Sequence, residues 1–138
     1  MEIIKRHTDY ALRALVHLAL LPNQVVTAGE IAESQDVPVE FLQKILQRFV
    51  KSGIVKSHRG AQGGFSLAKE AADITVLDVV EVMQGPVVMN RCLVGKDGCP
   101  RAPKCPLKKG WINMEEQLAA YMGSITLQDL VSELRATE

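Results

Sequence analysis

No stretch of the 138-residue chain approaches the roughly 18 consecutive apolar residues of a membrane-spanning helix. The most apolar stretch, residues 11–21, is interrupted by Arg13 and His17 and reads as a buried helix. An excess of one charge is also lacking. Lys and Arg together number 16, as do Asp and Glu, so the formal net charge is zero and bulk electrostatics points to no polyanionic partner. Cysteine is scarce: there are three, an odd number that argues against a disulfide framework and for a reducing compartment. No secretory leader pattern opens the sequence, so a cytoplasmic protein is expected. Internal repeats and low-complexity tracts are missing, and the phosphate-cradling GxxxxGK[ST] pattern does not occur. Neither a Ser-His-Asp nor a Cys-His grouping has supporting context, so the chain is not expected to be an enzyme.

The chain is 47 % hydrophobic, enough for a core, and its length suits one domain or a small domain with an appended helix. Charge is unevenly spread. Between Val39 and Lys69 there are six cations (Lys44, Arg48, Lys51, Lys56, Arg59, Lys69) against Glu40 alone, whereas the chain is acidic from Trp111 onward. One basic segment on a neutral chain can form a phosphate-binding face.

Periodicity predicts helices over residues 10–21, 27–35 and 39–52, the second opened by the capping box Thr27–Glu30 and the third closed by Gly53. Val39, Leu42, Ile45, Leu46 and Phe49 form one apolar stripe on the third helix, and Glu40, Gln43, Lys44, Gln47, Arg48 and Lys51 form its polar face. Two β-prone runs, 54–57 and 65–67, flank a glycine-rich connection that reads as a hairpin. A further capping box at Thr75 opens a helix to about residue 83. A long helix is expected over 106–122 and a short one after Thr126.

Helix, short turn, helix and hairpin is the order of a winged helix-turn-helix. The expected fold is mainly α with a small β-hairpin. Its parts would be a DNA-binding domain over 1–85, a cysteine-rich loop over 86–105, and a dimerisation helix with a C-terminal helix over 106–138. In such a fold the second helix of the pair enters the major groove, where Glu40, Gln43 and Lys44 would reach base edges. Arg59 and Gln62 would sit at the hairpin tip, where a cation suits the minor groove. On the long helix, Leu107, Trp111, Met114, Leu118 and Tyr121 recur at spacings of four and three, the pattern of a dimer seam.

Cys92, Cys99 and Cys105 lie together in NRCLVGKDGCPRAPKCPLKKG, a loop rich in Gly and Pro. They stand apart from the apolar segments where packing cysteines occur, among basic residues. Thiolates are the preferred ligands of iron–sulfur iron. The gaps of six and five residues lack the CxxC knuckle of most structural zinc sites. An iron–sulfur cluster is therefore favoured, with zinc binding or bare thiol sensing left open. Pro106 would start the long helix and place the Cys105 sulfur at its positive end.

TDYALRAL, FLQKILQRFVKSGIV, RGAQGGFSLAK, the three-cysteine loop and SITLQDLV occur in that order, and together they resemble the IscR/NsrR family of bacterial winged helix-turn-helix regulators. The resemblance implies a homodimer built on the long helix, an inverted-repeat operator in double-stranded DNA, and a [2Fe-2S] or [4Fe-4S] cluster held by Cys92, Cys99 and Cys105. It also bears on the fourth ligand. One branch uses a His three residues after the last Cys, but Lys108 stands there, and an ammonium group offers no lone pair. The other branch uses an Asp in the TD-x-A-L-R context, which is Asp9 here. Asp9 would come from the partner subunit or from the chain's own first helix; otherwise it is a helix-start residue favoured by the macrodipole, and the adjacent His7 competes for the role.

Overall fold

The computed structural model describes residues 1–94 and 100–138. Its elements are α1 (Arg6–Leu20), α2 (Ala28–Gln35), α3 (Val39–Ser52), β1 (Val55–His58), β2 (Gly64–Leu67), α4 (Val76–Gln84), α5 (Lys108–Ser124) and α6 (Leu127–Ala136), with short 3-10 turns between them. Mainly α with one antiparallel hairpin is the architecture expected from the sequence.

α1 begins at Arg6, earlier than the apolar periodicity places it. Its first turn is polar, and its N-cap Lys5 makes no side-chain cap. The Gln84 side chain holds this end instead, its Oε1 accepting from the Lys5 N–H at 2.9 Å. α2 starts where its capping box predicts, with Thr27 Oγ1 accepting from the Glu30 N–H and Glu30 Oε2 accepting from the Thr27 N–H. Asp36, in the left-handed region, and Pro38 make the turn into α3. Gly53 (φ +83°) ends α3 and lets the Ile54 N–H donate back to the Phe49 carbonyl at 3.0 Å.

Leu15, Leu18, Ile31, Leu42, Leu46, Phe49, Ile74, Val79, Leu127 and Val131 are almost fully buried in one core. Val39 is an exception to the stripe read on α3. It is 41 % exposed, because this first helical residue lies at the edge of the turn, outside the packed face.

The capped starts of α4 and α6 lie side by side. The Val76 N–H donates to the Ile125 carbonyl at 2.8 Å and the Leu127 N–H to the Ile74 carbonyl at 2.9 Å. α6 therefore packs back on α1 and shares its core, so packing does not divide the chain at residue 106. The physical reason is the apolar pair Leu127 and Val131, which is buried in the core that α6 shares with α1 and the segment around Ile74. α5 is different. It rests on α4 and buries only Met122 fully along its 17 residues.

Candidate nucleic-acid interface and cysteine segment

Leu42, Ile45, Leu46 and Phe49 fix the roll of α3 by pointing into the core. Glu40, Gln43, Lys44, Gln47, Arg48 and Lys51 are consequently all exposed on the outer side, as their spacing predicts. Gln43, Lys44, Gln47, Arg48 and Lys51, with Phe65 of the hairpin, line an open groove of about 500 Å³. Arg48 is only partly free: its Nη1 donates to the Met83 carbonyl at the end of α4, 3.3 Å away.

The hairpin pairs Val55 with Leu67 through His58 with Gly64. Arg59 and Gln62 are exposed in the turn between the strands. The local sequence RGAQGG has a steric cause. Gly60 sits at φ +107°, and a side chain on Gly63 would collide with the His58 carbonyl. A Cβ on Gly64 would lie 2.5 Å from the Val26 carbonyl oxygen. That carbonyl belongs to a bridge in which Val26 and Phe65 exchange hydrogen bonds of 2.9 and 2.8 Å, fastening the wing to the segment before α2. Gly64→Ala is expected to break the bridge, lower stability by about 1–3 kcal/mol, and loosen the wing; denaturant unfolding alongside DNA titration checks both effects.

Phe41 was not singled out by sequence pattern. It is 53 % exposed on the flank of α3, where it lines a cavity of about 440 Å³ with His7, Lys44, Arg48 and Met83. Its signal was its position one residue before the buried Leu42, on a helix whose other unburied residues are mostly polar. His7 therefore lies beside α3.

The cysteine segment joins α4 to α5. Cys92 lies in the short turn Arg91–Leu93, and Cys105 follows the short turn Ala102–Lys104. Both are free and half-buried. Cys99 lies outside the described residues. α5 begins at Lys108, not at Pro106, with Leu107 as its helically disposed N-cap. Pro106 is part of the preceding turn, so Cys105 stands before the helix entry and the helix-end argument for its sulfur loses force. Arg101, Lys104 and Cys105 line a cavity of about 570 Å³ with Pro100, Pro103, Pro106 and Leu107.

Asp9 lies in the first turn of α1, half-exposed, its carboxylate 3.0 Å from Arg13 Nε. Among the described residues, no three His, Cys, Asp or Glu side chains gather as ligands for one ion, so Asp9 does not join Cys92 and Cys105 within the chain. His17 is half-buried, its Nδ1 3.5 Å from Gln35 Nε2. Burial pushes its pKa below the ordinary value of 6.5, against a smaller upward pull from Glu30. The fold thus favours neutral His17, and that contribution to stability is present above pH 6.5 and is lost as pH falls below it.

On α5, Leu107 (56 %), Met114 (50 %) and Tyr121 (68 %) are exposed at intervals of seven, while Trp111 and Leu118 are half-buried. Leu118 helps line a cavity with Met1, Ile3, Val80 and Met122. Of the five residues read as a seam in the sequence, three are therefore exposed and two half-buried, with Leu118 toward the body.

A polar helix and a glycine-built wing sharing one groove, with a thiol segment beyond, agree with what the chain is similar to. Residues 4–133 match the Rrf2 family model, described as an iron-dependent transcriptional regulator. The chain belongs to the Rrf2 family. It is 34 % identical over 124 residues to the HTH-type transcriptional regulator IscR of Klebsiella pneumoniae (strain 342), covering 89 % of this chain and 76 % of that protein. Identity to IscR of Xenorhabdus nematophila is 32 % over 123 residues, covering 88 % and 74 %. Among solved structures, T. potens IscR superposes with a TM-score of 0.80 at 27 % identity, covering 100 % of this chain and 91 % of that one. CymR, the global cysteine regulator of B. subtilis, superposes at 0.79 and 28 %, covering 96 % and 98 %. This Rrf2 protein is a DNA-binding transcription regulator with a winged-helix fold. Among the described residues, no helix is long and apolar enough to cross a membrane.

Proposed function

We propose that this Rrf2 protein is a cytoplasmic, homodimeric repressor that binds an inverted-repeat operator and senses iron–sulfur, nitric oxide or redox status through Cys92, Cys99 and Cys105. The observation that carries the DNA half is the shared groove of α3 and the wing, lined by amides and cations. Gln43 can make a bidentate contact to adenine, Glu40 can accept from cytosine N4, and Lys44 and Lys51 can pair with phosphates. Arg59 and Gln62 at the wing tip suit the adjacent minor groove. The Met83 carbonyl holds Arg48, so Arg48 positions α3 and reaches phosphate with its remaining donors.

For the sensing half, the chemistry of the donor set fits an iron–sulfur cluster. Cys92 and Cys105 are unpaired and half-exposed, and the second is flanked by Arg101 and Lys104, cations suited to a group of negative charge. When bound, such a cluster supplies a centre that reacts with oxidants or nitric oxide. The three sulfurs would anchor it, and Asp9 from the partner subunit would complete the set. A second reading, thiol sensing without a cluster, is favoured by the superposition on a global cysteine regulator and by the same free thiols. Iron and sulfide content with an anaerobic visible spectrum separates the two, and zinc content tests the zinc alternative.

The DNA assignment has its own test. Arg59→Ala is expected to weaken operator binding by about 1–3 kcal/mol if it reads a base or a narrow groove. Lys51→Ala should weaken binding to all sequences alike and reduce the salt slope by about one unit. Gln43→Ala should relax preference at one base pair per half-site. Titrations over a range of salt check all three, and wild-type behaviour throughout would overturn the helix–wing assignment.

A further inference from the structure

Three parts of the molecule converge on the last turn of α4. Gln84, its final residue, reaches across to the start of the chain. Gln84 Oε1 accepts from the Lys5 N–H at 2.9 Å and from the Thr8 hydroxyl at 2.5 Å, and its Nε2 donates to the Ile3 carbonyl at 2.9 Å. Thr8 is fully buried, so water does not readily replace that partner. One residue earlier, the Met83 carbonyl accepts from Arg48 of the DNA-facing helix. One residue later, Gly85 at φ +80° turns the chain toward Cys92 while its N–H still donates to the Glu81 carbonyl at 2.9 Å. Asp9 lies on the turn that Gln84 fastens, its N–H donating to the Lys5 carbonyl at 3.0 Å.

We propose that Gln84 is a positioning residue that couples the cysteine segment to the entrance of α1, where Asp9 and His7 sit. Hydrogen bonds are directional, so a shift of the chain at Gly85 and Pro86 that tilts Gln84 must move the α1 entrance or break those bonds. Arg48 passes the same shift to α3. The inference rests on the reading of Cys92, Cys99 and Cys105 as the sensing site, but its test does not need a cluster.

The test is hydrogen exchange of amides 5–9 in cluster-free protein, before and after capping the thiols with N-ethylmaleimide. In wild type, capping is expected to change exchange at residues 5–9. Gln84→Leu keeps the bulk and removes the polar atoms. Exchange there should be about three- to tenfold faster before capping, the worth of roughly one net hydrogen bond, and should not respond to capping. Gln84→Glu keeps the acceptor and should fall between the two. If Gln84→Leu folds poorly, adding Thr8→Val removes the stranded hydroxyl and restores a foldable comparison. Operator affinity adds a readout that a mere structural pin would not move: the ratio between capped and uncapped protein should approach one in Gln84→Leu, with the uncapped value within about twofold of wild type, a margin of a few tenths of a kcal/mol. Wild type without a response at residues 5–9, or Gln84→Leu that responds like wild type, overturns the proposal. Failure to hold iron and sulfide would sink the cluster reading and leave this comparison decisive for Gln84.

Discussion

Met114→Asp is expected to leave the protein monomeric and to weaken operator binding by on the order of 10²–10⁴-fold, the effective-concentration advantage lost when two linked half-site contacts become one. Leu107, Met114 and Tyr121 form an exposed row at seven-residue spacing on a helix that buries only Met122 fully. Such a row, facing water on a single chain, is the kind of surface that a second copy covers, and the heptad interval lets two α5 helices keep it between them. Met114 is a better position than Leu118, which is half-buried toward Val80 and Met122, so that a charge there would strike the fold as well as the seam. Sedimentation at micromolar concentration and a titration with a two-half-site operator give the result. A wild-type monomer, or a Met114→Asp dimer, would refute the seam. The recognition surface itself should survive, because α3 is fixed by Leu42, Ile45, Leu46 and Phe49 in the core, whereas Met114 is exposed on α5.

Much of this fold was legible because its boundaries are chemical. Thr27, Thr75 and Thr126 each accept from the backbone of the residue three places on, and each marks a helix start that the sequence announces. Gly53 marks the end of α3 for the same local reason. What depended on distant partners was not legible. The start of α1 is set by Gln84, far along the chain, so apolar periodicity alone places it too late. Val39 continues the apolar spacing of α3 but lies beyond the packed face, and Leu118 continues that of α5 but turns toward the body. Pro106 is a favoured first helical residue, yet it stays in the turn and α5 starts at Lys108. The wing glycines were visible as a pattern, while the collision of a Gly64 side chain with Val26 could only come from three dimensions. The site divides the same way. The outward residues of α3 follow from helical spacing. The relation of Asp9 to the cysteines does not, because it involves separate elements and, on our proposal, two chains.

Replacing any one of Cys92, Cys99 and Cys105 by Ala is expected to abolish visible absorbance, bound iron and bound sulfide after anaerobic reconstitution. Two thiolates do not retain what three hold. The fold should be little affected, since Cys92 and Cys105 are half-buried, lie in irregular turns and belong to no core cluster; unfolding free energies should stay within about 0.5 kcal/mol of wild type, the range of substitutions away from packed sites. Asp9→Ala is expected to differ in kind. A carboxylate is a hard ligand among soft ones, so its loss should preserve bound iron and sulfide but shift the absorbance and the rate of reaction with nitric oxide or oxygen. Removing it also frees Arg13 from an exposed i,i+4 pair, which costs only about 0.3–0.5 kcal/mol. Arg13→Ala is therefore the informative control: it breaks the same ion pair but keeps the carboxylate, and should leave the spectrum close to wild type. Mixing Asp9→Ala protein with Cys92→Ala protein then tests the partner arrangement. If Asp9 serves the cysteines across the dimer, a heterodimer has one site with no defect, and after statistical exchange of equal amounts about a quarter of all sites should show the wild-type spectrum and reactivity. If each Asp9 serves its own chain, no wild-type site forms and no such recovery appears. An Asp9→Ala protein with unchanged spectrum and reactivity would return Asp9 to its plain role in the first turn of α1, and the fourth position would have to be filled from elsewhere.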